Sequence, residues 1–253
     1  MRPDEIAQMF SQIAHRYDRA NRILSFNRDR AWRKILVQHA APKVGERLLD
    51  LCTGTGDVAI EFAKACPEME IVGLDLSEEM LRVAREKLAQ LNLDHRVQLV
   101  QGNALELPFA ENSFEIVSQA FGLRNLPDRA RGLKEIYRVL SPGGRALIVE
   151  FSIPQSFLMR LVYLPYLRYI VPIVGGMVSG SRAPYEYLRD SIEGFPDRAQ
   201  ILEELYEAGF RPVGYRDLTL GIATLYWGEK PSTLTPIPTS PVPSPFTERA
   251  RER

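Results

Sequence analysis

Leu48-Leu49-Asp50-Leu51-Cys52-Thr53-Gly54-Thr55-Gly56-Asp57 decides how this 253-residue chain is read. An apolar run ends in an acid and then breaks into a glycine-containing turn. Val58 to Ala65 follow with helix-compatible spacing. Strand, tight turn and helix start form a βα unit of the kind that binds nucleotide-like ligands. Gly54 and Gly56 allow a sharp turn and close approach of a ligand to the backbone. The helix starting near Asp57 offers N–H groups without intrahelical partners.

Two cofactors suit such a turn. Gly54-x-Gly56-x-x-Ala59, with Asp75 about twenty residues on, fits the loose dinucleotide fingerprint. Asp50 favours S-adenosylmethionine instead. A carboxylate at the approach to the loop repels a pyrophosphate but suits a cationic amine and a sulfonium. On this reading Thr55 bonds the methionine end, and Asp75, closing the second strand, accepts both ribose hydroxyls. Asp75 could equally be a helix cap beside Ser77. Asn103-Ala104 ends the third strand, where an amide can bond adenine or simply make a turn. Leu105 and Leu107 flank the ring.

The strands alternate with helices outward from this unit. Arg47–Cys52, Met69–Asp75, Val97–Gln101, Phe114–Gln119 and Arg145–Phe151 read as strands. Gly56–Ala65, residues 78–91 and a segment from Asp128 to about Leu140 read as helices. Ser77 is an N-cap with Glu78 and Glu79 in the first turn. Pro142-Gly143-Gly144 reads as a turn. Such alternation implies a doubly wound, mostly parallel sheet. Arg198–Ala208 forms a closing helix, and Phe210–Asp217 with Leu218–Trp227 form a closing antiparallel hairpin, giving seven strands.

Residues 1–230 therefore form one domain. Its parts are a helical cap over 1–45, broken around Leu24–Asn27, a cofactor-binding core over 46–151, an apolar insertion over 152–197, and the closing helix and strands over 198–230. Residues 231–253, rich in Pro, Ser and Thr, read as a disordered tail. Phe157 to Val178 is heavily apolar yet interrupted by Arg160, Pro165, Arg168, Pro172 and Gly175-Gly176, too broken to span a bilayer. It either packs on the domain or forms a lid for a greasy substrate at a membrane surface. The cap is either a packing element or a lid with Tyr17, Asp18, Asn21 and Ser25 turned inward.

Composition narrows the function. Lys+Arg and Asp+Glu are both 32, so no overall basic field draws in nucleic acid. Cys52 and Cys66 are the only cysteines, which suits a reduced, cytoplasmic setting. The three histidines, His15, His39 and His95, are scattered, and no metal-ligand cluster is expected. The N-terminus lacks the apolar core of a signal peptide.

With these residues in hand, the chain resembles the ubiquinone/menaquinone-biosynthesis C-methyltransferases of the UbiE/MenG type over roughly residues 8–230. Four stretches carry the resemblance. They are Tyr17-Asp18-x-x-Asn21-x-x-Leu24-Ser25 with Trp32; Asp50–Asp57 with Asp75; Phe121-Gly122-Leu123-Arg124-Asn125; and Arg138-Val139-Leu140-x-Pro142-Gly143-Gly144 with Glu150-x-Ser152. The family has Met where Ala20 stands, His for Asp29, Lys for Ser141, and a cofactor-contacting Ser for Ala120.

The resemblance implies a Rossmann-like class I methyltransferase binding S-adenosylmethionine, without a metal, through Asp50, Gly54, Thr55, Gly56, Asp75, Leu76, Asn103, Ala104 and, by location, Ala120. It implies carbon methylation of a prenylated quinol, with demethylmenaquinol favoured and benzoquinol or demethylphylloquinol as alternatives. Arg124 is expected to stabilise the phenolate or position a water, Asn125 to orient the hydroxyl, and Asp57 to act as base or hold the methionine amine. Tyr17, Asp18 and Asn21 are expected near the substrate. Peripheral contact with a membrane and self-association are further expectations. An NAD-dependent oxidoreductase, for which Tyr226-x-x-x-Lys230 would be the pair, is the first rival. A nucleic-acid methyltransferase and a non-catalytic binding protein are the others.

Overall fold

The computed structural model describes residues 3–232 of the chain, so all but the first two residues of the Pro-rich tail lie outside the described residues. Its centre is a seven-stranded sheet in the order β3-β2-β1-β4-β5-β7-β6. The strands are β1 (Arg47–Leu51), β2 (Glu70–Asp75), β3 (Val97–Gln101), β4 (Phe114–Ala120), β5 (Leu140–Phe151), β6 (Val213–Leu218) and β7 (Ala223–Glu229). The first five are parallel, and β7 pairs antiparallel with both β5 and β6.

Alternation along the buried strands builds two cores, because successive side chains leave opposite faces. Leu48, Ile71, Ile116 and Leu147 meet Trp32, Leu36 and Phe62 on one face. Leu49, Leu51, Val72, Val117 and Ile148 meet Leu133, Ile136, Ile201 and Leu205 on the other. The covering helices are α3 (Arg28–Ala40) and α4 (Asp57–Ala65) on the first face, and α6 (Arg129–Val139) and α10 (Arg198–Glu207) on the second. Helix α5 (Glu78–Gln90) starts at Ser77, whose Oγ accepts the Met80 N–H at 3.2 Å. Strand order reverses between β1 and β4. The loops after these two strands, Cys52–Gly56 and Phe121–Asn125, therefore border the crevice where ligands bind in such sheets.

The N-terminal segment has one more break than the sequence predicts. Helix α1 (Pro3–Ser11) and α2 (Ala14–Leu24) are separate, and Phe26 and Asn27, both with left-handed φ, divide α2 from α3. Pro142-Gly143-Gly144 is an irregularity inside β5 rather than a turn before it. Pairing to β4 jumps from Phe114↔Leu140 to Ile116↔Arg145 there, and Gly143 takes φ +81°. The closing strands are shorter than expected, because Thr219, Leu220 and Gly221 all take positive φ and turn the chain.

The largest departure is in the apolar insertion. Phe157 to Ser179 is one helical run of 23 residues, with mean hydropathy 1.5. It consists of α7 (Phe157–Pro165), a wide π-type turn (Tyr166–Ile170) and α8 (Val171–Ser179). By length and composition alone it could cross a membrane. The expected interruptions do not interrupt. The wide turn re-spaces the backbone hydrogen bonds around Pro165, and Pro172 sits in the first turn of α8, where no donor is needed. Gly175 is a packing contact. A Cβ there would lie 2.4 Å from the Tyr185 ring on α9 (Ala183–Glu193).

Candidate active site

Two cavities meet at the carboxyl edge of the sheet. The first, about 130 Å³, is lined by Gly54, Asp75, Leu76, Asn103, Ala104 and Ala120, together with Cys52, Gly122 and Asn125. The second, about 510 Å³, is walled mainly by apolar and aromatic side chains of the cap and the insertion, with Asn21, Arg33 and Arg124 among its polar groups. Phe10, Tyr17 and Phe121 line both.

The first cavity fits a nucleoside cofactor. Asp75 sits at the end of β2, and each oxygen accepts one backbone N–H: Gly54 at 2.8 Å and Ser77 at 2.9 Å. Every carboxylate oxygen has a second acceptor site, so both remain able to take a ribose hydroxyl. Burial raises its pKa, against which the Ser77, Gly54 and Leu76 backbone groups act. Asp75 thus braces both the turn, through Gly54, and the approach to α5, through Ser77. Gly54 takes φ +56°, and a Cβ there would meet nothing within 4 Å, so its backbone faces open space in the cavity wall. Asn103 makes the turn that was the alternative to adenine binding, its Oδ1 accepting Leu105 N–H at 3.0 Å, and it also lines the first cavity.

Asp50 is not in either cavity wall, which corrects the electrostatic reading of the turn. Its buried carboxyl lies beneath the loop, accepting Thr53 Oγ1–H at 2.6 Å and Ser118 Oγ–H at 2.8 Å. It also takes the Ala59 backbone N–H, one of the free donors at the start of α4. Burial pushes its pKa up to about 6. The acid therefore holds the turn in shape. Gly56 likewise shapes it from outside the cavity walls, with φ +81° as the residue preceding α4.

Thr55, Asp57 and Asp18 are brought together, but in a polar clamp between cap and core. Thr55 Oγ1–H donates to Asp18 Oδ1 at 2.6 Å. Lys87 Nζ, from α5, donates to Asp18 Oδ2 at 2.7 Å, to Thr55 Oγ1 at 3.2 Å and to Asp57. Arg33 lies 3.5 Å from Asp57 and 2.6 Å from Asp29, which in turn accepts Ser25 Oγ–H. Burial works against charge on Asp57, yet Lys87 and Arg33 hold its carboxyl below the usual range. So paired, it is a poor proton acceptor near neutral pH and is dropped as the base. Asp29, where the family has His, supplies a carboxylate to the buried Arg33.

Arg124 and Asn125 occupy a short helical turn after Phe121. The Arg124 side chain is 2 % exposed and pairs at 2.7 Å with Glu150, which is 0 % exposed. Glu150 also accepts the Arg124 and Phe151 backbone N–H groups. One guanidinium nitrogen bonds Phe121 O, while buried Nε has no partner. Arg124 thus lines the mainly apolar cavity as a fixed cation, its free Nε itself buried in the protein. Asn125 Oδ1 accepts the Tyr187 hydroxyl at 3.1 Å. Tyr17, which hydrogen-bonds Asn21, has its pKa raised by burial, against the pull of Arg124; it is a neutral hydroxyl near pH 7.

Glu150, Lys87, Arg33 and Tyr187 escape sequence reading as site residues. Glu150 stands in the fourth stretch named above, which was its only signal; the others carry no motif. Tyr226 and Lys230, the oxidoreductase pair, line neither cavity. Tyr226 is buried in β7, and Lys230 Nζ bonds Asn112 and Leu140 O. Among the described residues no group of three or more His, Cys, Asp or Glu could hold a metal.

Comparison with known proteins agrees with this geometry. Residues 1–230 match the ubiE/COQ5 methyltransferase family. A ubiquinone/menaquinone biosynthesis C-methyltransferase UbiE of Geotalea daltonii is 43% identical over 228 residues, covering 90% of this chain and 97% of that one. A demethylmenaquinone methyltransferase of Thermus thermophilus is 42% identical over 223 residues, 88% of this chain and 100% of its own. Among solved structures, the [4+2]-cyclase SpnF superposes with TM-score 0.70 at 18% identity, over 92% of this chain and 98% of that one. A Haemonchus contortus phosphoethanolamine N-methyltransferase 2 bound to S-adenosyl-L-methionine gives 0.61 at 20% identity, over 79% and 52%. A turn shaped from below by Asp50, the Asp75 carboxylate in the wall of the adjoining cavity and this likeness along 230 residues make the chain an S-adenosylmethionine-dependent methyltransferase, a member of the ubiE/COQ5 methyltransferase family.

Proposed function

We propose that the enzyme methylates a ring carbon of a prenylated quinol, with demethylmenaquinol as the substrate. The observation that carries this is Arg124, a buried cation held by Glu150 in the wall of a mainly apolar cavity of about 510 Å³ that adjoins the cofactor cavity. A mainly apolar chamber suits an isoprenoid chain, and a fixed cation next to the cofactor cavity suits a ring oxygen.

S-adenosylmethionine supplies an electrophilic methyl group on a sulfonium. The chain's own residues do the rest. Arg124 stabilises the negative charge left when the ring hydroxyl yields its proton to water, which raises electron density at the ortho carbon. The C–CH3 bond formed there would replace the methyl–sulfur bond, leaving S-adenosylhomocysteine, and the proton on that carbon would pass to water as the ring regains aromaticity. A phenol with pKa near 10 is scarcely ionised at neutral pH, so this stabilisation is needed. A quinone lacks the hydroxyl and is electron-poor, so only the reduced ring reacts. Glu150 fixes the guanidinium through its side chain and the Arg124 backbone N–H. Asn125, braced by Tyr187, orients the hydroxyl. Tyr17 and Phe121 stand where the two cavities meet and set the approach of the ring to the methyl group. Gly54, Asp75, Leu76, Asn103, Ala104 and Ala120 hold the cofactor. The enzyme works on the cytoplasmic side of a bilayer, where such a quinol resides.

Arg124→Gln tests the assignment. We expect kcat to fall about 10²–10³-fold, as when a preorganised charge-stabilising donor is removed, with S-adenosylhomocysteine affinity unchanged. Unaltered turnover would remove Arg124 from the mechanism.

A further inference from the structure

Exposed large apolar side chains are concentrated on one side of the molecule. Leu158, Leu161, Val162, Tyr169, Ile173 and Met177 are between 47 % and 80 % exposed. They recur along the run from Phe157 to Ser179 at helical spacing, so they form one stripe. The opposite stripe, Tyr163, Leu167 and Val171, packs against Tyr185, Ile192 and Ala20. Phe26, 75 % exposed at the break between α2 and α3, extends the patch, its ring 6.1 Å from that of Tyr166. Val162 and Phe26 also line the larger cavity, so the patch adjoins it.

Of four arginines at the patch, two are held in ion pairs and two are not. Arg168 pairs with Glu193 at 2.7 Å and Arg182 with Glu186 at 2.9 Å, both acids on α9, whereas Arg160, whose Nε donates to Pro154 O, and Arg28 have no carboxylate partner among the described residues. Arg160 and Arg168 lie within the apolar run itself, and Arg28 joins Phe26 in the cavity wall. An exposed apolar stripe with arginines beside it matches the interface of an anionic bilayer, which offers hydrocarbon at one depth and phosphate just above it. A single spanning helix does not suit this run, because its other stripe is committed to the core of the protein.

We infer that the run from Phe157 to Ser179, with Phe26, is a membrane-docking face that lies flat in the surface of an anionic bilayer and opens the larger cavity directly to the lipid. The inference rests on the quinol reading and supplies its route: the substrate passes between Phe26 and Val162 without crossing water. Binding grows with buried apolar area and with attraction to anionic headgroups, and weakens as salt screens the arginines.

The test uses the full chain with vesicles of phosphatidylcholine, with and without phosphatidylglycerol. The wild-type chain is expected to sediment with the anionic vesicles and less with the neutral ones. Leu158→Glu/Leu161→Glu/Met177→Glu, none of which lines a cavity, should lose vesicle binding at least about tenfold. Arg28→Gln/Arg160→Gln should lose about tenfold on anionic vesicles alone. The triple variant should keep its turnover of a short-chain, water-soluble quinol within about twofold, and lose turnover of a long-chain quinol held in vesicles. Vesicle binding without turnover of either quinol by the wild type would support the face and sink the quinol reading. Wild-type turnover of both quinols with unchanged vesicle binding by the triple variant would overturn the face. So would a wild-type dimer, seen by light scattering, that ignores vesicles and dissociates in the triple variant, since a second copy would then cover the stripe.

Discussion

A carboxyl whose pKa is pushed up to about 6 beneath the cofactor turn gives Asp50 a pH signature of its own. Between its ordinary value of 3.8 and about 6, the folded chain holds this proton and the unfolded chain does not. Stability contributed by the group is therefore complete below 3.8 and is lost as pH rises through 6, a change of about 3 kcal/mol. Asp57 works in the other direction, since its lowered carboxyl gives up stability only as pH falls below its ordinary value of 3.8. Urea unfolding from pH 4 to 6.5 should show a falling component in the wild type that Asp50→Asn removes; parallel curves would refute the assignment. Asp75 and Asp50 also mark how far the sequence could be read. Asp75 was legible because a strand end places its side chain at the sheet's edge whatever the details. Asp50 was not, because residue type does not tell whether a carboxylate lies above or beneath a turn, and Thr53, Ser118 and the Ala59 N–H claim it from below.

At the scale of elements, the apolar run depends on close contact between α8 and α9. Gly175 lets the Tyr185 ring lie directly on the helix backbone. Ala in a helix gains roughly 1 kcal/mol over Gly, yet the added methyl would sit 2.4 Å from a buried ring. Gly175→Ala should therefore still destabilise the protein, by about 1–3 kcal/mol from overpacking, read as a lower midpoint in urea. A stabilised variant would mean that α8 and α9 separate easily. The alternating β and α pattern was legible because strands buried on both faces and capped helices carry their own periodicity. The continuity of residues 157–179 was not. Proline and glycine are read as breakers, and neither the wide turn at Tyr166–Ile170 nor the ring over Gly175 leaves a local trace in the sequence.

Across the whole molecule, cap and core are joined by charge. Lys87 on α5 reaches Asp18 on α2, Thr55 in the turn and Asp57 on α4, and Arg33 carries the chain of contacts to Asp29 on α3. Tyr17, next to Asp18, lines both cavities, so the clamp sets the position of the residue at their junction. Lys87→Met should cost about 1–3 kcal/mol by leaving partly buried Asp18 without a cation and Asp57 with Arg33 alone. It should raise KM for both substrates more than it lowers kcat, and Lys87→Arg should restore part of the loss. Equal effects on kcat and kcat/KM would mean that Lys87 acts only in the transition state. This clamp joins residues up to 69 positions apart, which is why sequence reading sent Asp18, Thr55 and Asp57 to ligands instead of to one another.

Carbon methylation of a reduced, prenylated ring is the centre of the account. Its most direct test is transfer of labelled methyl from S-adenosylmethionine to a prenylated demethylnaphthoquinol and to a matching benzoquinol, each with and without reductant. The account predicts label in the naphthoquinol, and only when the ring is reduced. Label in the oxidised ring, or in neither compound while S-adenosylhomocysteine still binds, would contradict it.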